Sequence, residues 1–248
     1  MSRGSLVGVG VGPGAPDLMT LRAVDVLRRA DVVAIPRRSE WDESLAWRIA
    51  RENVGEVAGQ ERIFLTFPMT KDPERLRLAW DRALEVLDPH VLAGKRVAFV
   101  TEGDPLVYST FIYLMGEATG RWPEAAVEVV PAVSSVTAVP AAALVPLADG
   151  LERVAILPAT YGVEDLARVL REFDTVLLMK VGSVLPEVVA VLEREGLLER
   201  AVYVSKATTG DEKVIRDLRD LREGGCDYFS MVIVAKKERS RTSKGGRR

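Results

Sequence analysis

The residues in this 248-residue chain best placed for chemistry are Thr101-Glu102-Gly103-Asp104-Pro105. Two carboxylates flank a glycine, and a glycine lets the backbone come close to a ligand. The preceding run, Val97-Ala98-Phe99-Val100, is short and apolar enough for a strand buried on both faces. Val107, Phe111, Leu114 and Met115 come next at helical spacing. Residues 97–114 therefore read as strand, acidic turn and helix, with Asp104 as the helix cap and Pro105 at its first position. In an open α/β sheet, ligands bind where such turns leave the carboxyl ends of strands. A well-capped turn with no ligand would show the same cues.

Other chemical groups are few. Cys226 is the only cysteine and His90 the only histidine. An intramolecular disulfide and a cysteine metal cluster are thereby excluded, and no metal site is expected. His90 lies in Asp88-Pro89-His90, which reads as a surface turn. Gly10-Val11-Gly12-Pro13-Gly14 invites a dinucleotide-binding reading, but the register fails. Gly8 and Gly10 require a glycine where Pro13 stands, and counting from Gly10 places the third on Ala15. No phosphate-loop Gly-Lys-Ser/Thr is present either. Four cations, Arg37, Arg38, Lys180 and Lys206, fall just past expected strand ends. Strand carboxyl ends of a parallel sheet share one edge, so these charges suit a polycarboxylate ligand. Taken singly, each reads first as a solvated charge.

These residues must be positioned by alternating strands and helices. Residues 6–11 read as the first strand. Thr20 then caps a helix running to about Arg29, with Leu21, Val24 and Leu27 as its apolar stripe. Residues 31–36 form a second strand ended by Pro36. Such a unit implies a parallel sheet with a right-handed crossover. Residues 37–95 make a long, mostly helical connection. In it Trp41, Leu45 and Ile49 share a face, 62–67 is a short strand, and a 73–87 helix turns Leu76, Trp80, Leu84 and Leu87 inward. Residues 127–130 are a strand closed by Pro131-Ala132-Val133-Ser134-Ser135, and Ser134 or Ser135 caps a helix over 136–143. The polar break at 146–150 separates an N-terminal α/β domain, 1–147, from a second, 148–237. The second has strands at 153–157, 175–179, 201–204 and 229–235 and helices at 163–173, 183–195 and 212–222. The basic tail, 238–248, is expected to be disordered.

Composition is globular, 48% hydrophobic and 28% charged, with no apolar run long enough to span a membrane. Ser2-Arg3-Gly4-Ser5 leads straight into a strand-like run instead of a signal-peptide pattern, so a cytoplasmic location is expected. A net charge of −2 argues against an extended nucleic-acid surface.

Four motifs in order carry a family resemblance. Gly10-Val11-Gly12-Pro13-Gly14-Ala15-Pro16-Asp17-Leu18, with Thr20-Leu21 and Ala30-Asp31-Val32-Val33, resembles the opening of the tetrapyrrole (corrin/porphyrin) methylases of cobalamin and sirohaem synthesis. Glu102-Gly103-Asp104-Pro105 resembles their acidic glycine loop. Pro131-Ala132-Val133-Ser134-Ser135 resembles their next signature, and Met179-Lys180 their C-terminal-domain Met. Within the family, Phe67-Pro68-Met69, Tyr108-Ser109-Thr110-Phe111 and Tyr228 to Val234 are most similar to the members that methylate C20 of precorrin-2 or cobalt-precorrin-2.

The resemblance implies an α/β fold of two α/β domains (class III methyltransferase) with S-adenosyl-L-methionine in the cleft between them, and a homodimer. Carried over by position, cofactor contacts fall on Pro13, Glu102, Gly103, Asp104, Val107, Ser134, Ser135, Met179 and Ala207. Arg37, Arg38, Tyr108 and Lys180 become candidates for holding the tetrapyrrole. Two positions depart from the family: Ala132 where a glycine is usual, which requires a turn without positive φ, and Glu102 where a small residue is common.

A sulfonium methyl is already electrophilic, so no protein nucleophile or metal is required. What is required is alignment at near-attack distance. The residues do not single out a catalytic base. A sister methylase acting at another carbon, or on uroporphyrinogen, shares the cofactor loops. From a different class, a non-catalytic nucleotide-binding regulator fits the α/β pattern. Tight S-adenosylhomocysteine binding without affinity for NAD or ATP separates the two.

Overall fold

In a computed structural model the described residues are 3–70, 72–159, 162–221 and 227–237. The expected tail and Cys226 lie outside them. Contacts divide the chain into two units, Met1–Ser135 and Val136–Arg248.

The first unit is built on a five-stranded sheet, all parallel. In chain order its elements are β1 (Ser5–Gly10), α1 (Leu21–Arg28), β2 (Val32–Arg37), α2 (Leu45–Val54), β3 (Glu61–Thr66), α3 (Pro73–Leu92), β4 (Arg96–Thr101), α4 (Phe111–Arg121) and β5 (Ala126–Val130). The sheet order is β3-β2-β4-β1-β5. β1 pairs with β4 from Ser5–Arg96 to Gly10–Thr101, and with β5 from Ser5–Ala126 to Val9–Val130. Strand residues alternate between two layers, as the period of two demands. Val7, Val9, Val33, Ile35, Ala98 and Val100 pack under α1 and α2. Leu6, Val32, Ala34, Val97 and Phe99 pack under α3 and α4. The chain thus leaves adjacent strands β1 and β4 toward opposite faces, which makes a topological switch point at their carboxyl ends.

Several expectations are corrected. The residues after the acidic loop are not yet helix: α4 starts at Phe111, so Asp104 is not its cap and Pro105 is not its first residue. The side chain accepting near this helix start is Ser109, whose Oγ takes the Phe111 N–H at 3.2 Å. Pro36 does not end β2. Pairing with β4 stops at Ala34–Phe99, so the missing proline N–H falls where β2 pairs only with β3. Helix α2 is capped by the Ser44 hydroxyl, and Trp41 lies outside it, 93% exposed. Helix α3 continues through Pro89, which lies on an exposed face of the helix. His90 is therefore helical. Its side chain is 14% exposed, with Nδ1 3.5 Å from the Glu61 carboxylate and 3.2 Å from Lys95 Nζ.

The second unit opens with α5 (Ser135–Ala143), whose first residue falls at the division between the units. It continues with β6 (Val154–Pro158), α6 (Val163–Glu172), β7 (Thr175–Met179), α7 (Leu185–Arg194), β8 (Ala201–Ser205), β9 (Lys213–Ile215) and β10 (Ser230–Ala235). Its sheet runs β6-β7-β10-β8-β9. Only β6 and β7 pair in parallel; β10 is antiparallel to both of its neighbours. Among the described residues, 212–221, the helix expected over 212–222 is not found. Lys213–Ile215 instead pairs antiparallel with β8, and Leu218–Leu221 is a short 3₁₀ turn with Leu218 buried.

Candidate functional site at the carboxyl ends of the parallel sheet

Three loops of the first unit meet above the switch point. The β1 loop and the β4 loop are stitched by backbone: Val11 N–H donates to the Thr101 carbonyl at 3.0 Å, and Gly103 N–H donates to the Gly12 carbonyl at 2.8 Å. The return bond from Gly12 N–H to the Gly103 carbonyl is 3.4 Å. Gly103 adopts φ +66, and a Cβ there would meet nothing within 4 Å. Its outer side is open, so backbone can be approached at the crest of the loop.

The third loop, after β5, is tied in by Asp104. Its Oδ1 accepts the Leu106 N–H at 2.9 Å, closing an Asx-type turn, and its Oδ2 accepts the Ala132 N–H at 3.0 Å. The carboxylate thus joins two loops 28 residues apart. Ala132 is not among the residues with positive φ, so the turn is made without the conformation that would require glycine. Gly10, the last residue of β1, lies beneath this junction. A Cβ there would sit 2.6 Å from both the Gly103 carbonyl and the Ala132 side chain. The absent side chain is what lets the three loops converge.

Beyond Gly103 the chain passes through Val107 and Tyr108, which holds φ 51. A left-handed tyrosine costs roughly 1–3 kcal/mol and persists only when its surroundings fix it. Here the buried Thr101 and Ser109 hydroxyls share a hydrogen bond of 2.9 Å, closing the segment on which Tyr108 stands.

The sequence candidates are accordingly distributed. Pro13, Glu102, Gly103, Asp104, Val107, Ser134 and Ser135 fall on the three converging loops or directly after them, with the Glu102 side chain exposed. Arg37 and Arg38 lie at the end of β2, on the same sheet edge. The Arg37 guanidinium lies over the Phe64 ring at 5.2 Å, and its Nη1 donates to the Glu40 carbonyl. Met179, Lys180 and Ala207 belong to the second unit, at or just past the ends of β7 and β8. Lys180 and Lys206 both have positive φ, 57 and 48. Lys206 is paired with Asp227 at 3.3 Å, so its charge is partly spent locally. The latch between Asp104 and Ala132, and the clearance at Gly10, were not foreseen. The glycine is visible in the sequence, but the atoms it makes room for come from two distant loops. Among the described residues no group of His, Cys, Asp and Glu could hold a metal ion. Nor is any helix there long and apolar enough to cross a membrane.

An open parallel sheet, with three loops locked together over its switch point, defines an α/β protein whose candidate site lies at the strand carboxyl ends, where open α/β sheets bind ligands. The chain belongs to the tetrapyrrole (corrin/porphyrin) methylases, whose family model matches residues 5–221. It is 34% identical over 235 residues to the cobalt-precorrin-2 C(20)-methyltransferase of Salmonella typhimurium, covering 94% of this chain and 97% of that one. It is 36% identical over 234 residues to a probable cobalt-precorrin-2 C(20)-methyltransferase of Methanocaldococcus jannaschii, covering 94% and 96%. Among solved structures, a cobalamin biosynthetic enzyme, cobalt precorrin-4 methyltransferase, aligns with a TM-score of 0.68 at 25% identity, over 93% of this chain and 94% of that one.

Proposed function

We propose that this chain is an S-adenosyl-L-methionine-dependent methyltransferase that methylates C20 of precorrin-2, or of its cobalt complex, in cobalamin biosynthesis, as a cytoplasmic homodimer. The observation that carries the reading is the identity of 34% and 36%, over 94% of this chain, to relatives that bear that activity in their names. The converging loops fit the cofactor, because Gly103 leaves backbone open to a polar ligand on a scaffold that Asp104 holds rigid.

S-adenosyl-L-methionine, when bound, supplies an electrophilic sulfonium methyl group. The chain's own part is then to hold and orient. The residues proposed for the cofactor contacts are Pro13, Glu102, Gly103, Asp104 and Val107, with Ser134, Ser135, Met179 and Ala207. A fixed loop junction serves alignment, since a well-oriented pair of reactants gains several orders of magnitude in rate without a protein nucleophile. Arg37, Arg38 and Lys180 are the cations for the substrate's carboxylates, and Tyr108 stands next to the cofactor loop to meet its ring system.

The test is incubation with methyl-labelled S-adenosylmethionine and precorrin-2, with and without cobalt, then carbon NMR of the product. A label on C20 is expected. A label on any other carbon makes the chain a sister methylase, and no transfer to either form overturns the reading.

A further inference from the structure

The second sheet carries an exposed aromatic pair that the cofactor contacts leave unused. β10 is inserted between β7 and β8 and runs against both, so its entrance reaches the edge from which those two strands leave. Met231 lies opposite Met179 on one side and opposite Val204 on the other. Immediately before β10, the Tyr228 and Phe229 rings meet edge to face, with centroids 5.0 Å apart and planes at 87°. They are 43% and 38% exposed, whereas Met179 and Ala207 on either side are nearly closed to solvent. The pair is therefore exposed at that edge, where Met179 and Ala207 are buried.

Its backbone is held at several points. Lys206 N–H donates to the Phe229 carbonyl at 2.9 Å. Ser230 Oγ donates to the Asp227 carbonyl at 2.6 Å, and Lys206 Nζ lies 3.3 Å from the Asp227 carboxylate and 3.9 Å from that of Asp211. Two rings displayed on a fixed hook lose little freedom when a ligand covers them.

We propose that Tyr228 and Phe229 form a platform for the tetrapyrrole, contacting its ring system and so contributing to substrate specificity. The inference rests on the proposed reaction. That reaction contains one other flat group, the adenine of the cofactor. Rings set at nearly a right angle present a stepped surface, and one planar base can stack on only one of them. A reduced tetrapyrrole is larger and puckered at its saturated carbons, so it can lie against both. Its carboxylates also suit an edge where Lys180 and Lys206 leave the neighbouring strands, although Asp211 and Asp227 offset the second of these.

The test uses the full chain with Y228A, F229A and the double variant, and Y228F and F229Y as variants that keep the rings. KM for precorrin-2, its Kd in the presence of S-adenosylhomocysteine, and the Kd of S-adenosylhomocysteine alone are compared. The double alanine variant should raise KM and Kd for the tetrapyrrole by about tenfold or more, with S-adenosylhomocysteine affinity within about twofold of wild type. The ring-keeping variants should stay near wild type. Equal loss of S-adenosylhomocysteine affinity makes the pair an adenine platform, and unchanged tetrapyrrole binding in a folded double variant removes the role; either overturns the inference. A wild type that binds precorrin-2 without methylating it fails the reaction but not the platform, which the same Kd comparison then decides. A wild type that binds no tetrapyrrole overturns both.

Discussion

Asp104 shows how a residue legible in sequence can have a role that is not. Its place in the acidic glycine loop is plain, and its spacing from Phe111 and Leu114 points to a helix cap. The structure gives both carboxylate oxygens to backbone N–H groups instead, and one of those belongs to the loop after β5. Asp104→Ala removes both acceptors. Hydrogen bonds to a charged group contribute about 1.5–3 kcal/mol each when shielded, less at a half-exposed loop. A loss of roughly 1–2 kcal/mol is expected, and a fall of about tenfold in S-adenosylhomocysteine affinity as the β5 loop comes free. Asp104→Asn keeps one acceptor oxygen and should fall between. Calorimetric titration with thermal unfolding reads both quantities, and wild-type affinity in both variants would remove the latch from the site. Gly10→Ala attacks the same junction from beneath. Its methyl would sit 2.6 Å from a backbone oxygen, which cannot swing aside as a flexible side chain can. Weaker cofactor binding is expected even where Asp104 is intact, and a folded variant with unchanged affinity would show that the loops can part without loss.

At the scale of elements, helices α3 and α4 are joined by a clamp at their ends. The Arg121 guanidinium donates to Asp88 Oδ1 at 2.7 Å, and the Trp122 indole N–H donates to the same oxygen at 2.8 Å. The Arg121 hydrogen bond, assisted by that of Trp122 and opposed by desolvation, holds the Asp88 carboxyl below its usual value of 3.8. A lowered folded-state value means that this stabilisation is fully present above the unfolded pKa and is lost as pH falls through the folded one. Asp88→Asn should therefore cost about 1 kcal/mol at neutral pH, the side chains being about a third exposed. The gap from wild type should close below pH 3.8; a gap of constant size down to acid pH would mean that charge plays no part. Most elements of this kind were legible, because Leu6 to Val9, Val97 to Val100 and Thr175 to Met179 are apolar runs too short for helices. The errors fall where local cues compete with pairing. Pro36 looked like a strand end but sits where one neighbour has already stopped pairing. Val214 and Ile215 looked helical, yet β8 offered them a partner from another part of the chain.

The whole molecule was partly legible. The alternation of strands and helices shows two α/β sheets, but the antiparallel insertion of β10 cannot be read from an alternating pattern, and it is this insertion that brings Tyr228 and Phe229 beside Met179 and Ala207. The polar break at 146–150 marked the boundary in sequence, whereas contacts divide the chain at Ser135, because the small-residue helix α5 groups with the second unit. The positions carried over for the cofactor fall in both units. Hydrogen exchange with and without S-adenosylhomocysteine tests that distribution directly. Exchange should slow at 10–14, 102–107 and 131–135 in the first unit, and at 179–180 and 206–208 in the second. At about one hundred times Kd, a ligand that binds only the folded chain adds about 2.7 kcal/mol, which in a unit it contacts lowers exchange by roughly a hundredfold where opening is global. A unit it does not contact keeps its original rates. Slowing confined to the first unit would strike Met179 and Ala207 from the cofactor set while leaving the loop junction in place; slowing at none of these segments would remove the cofactor from both.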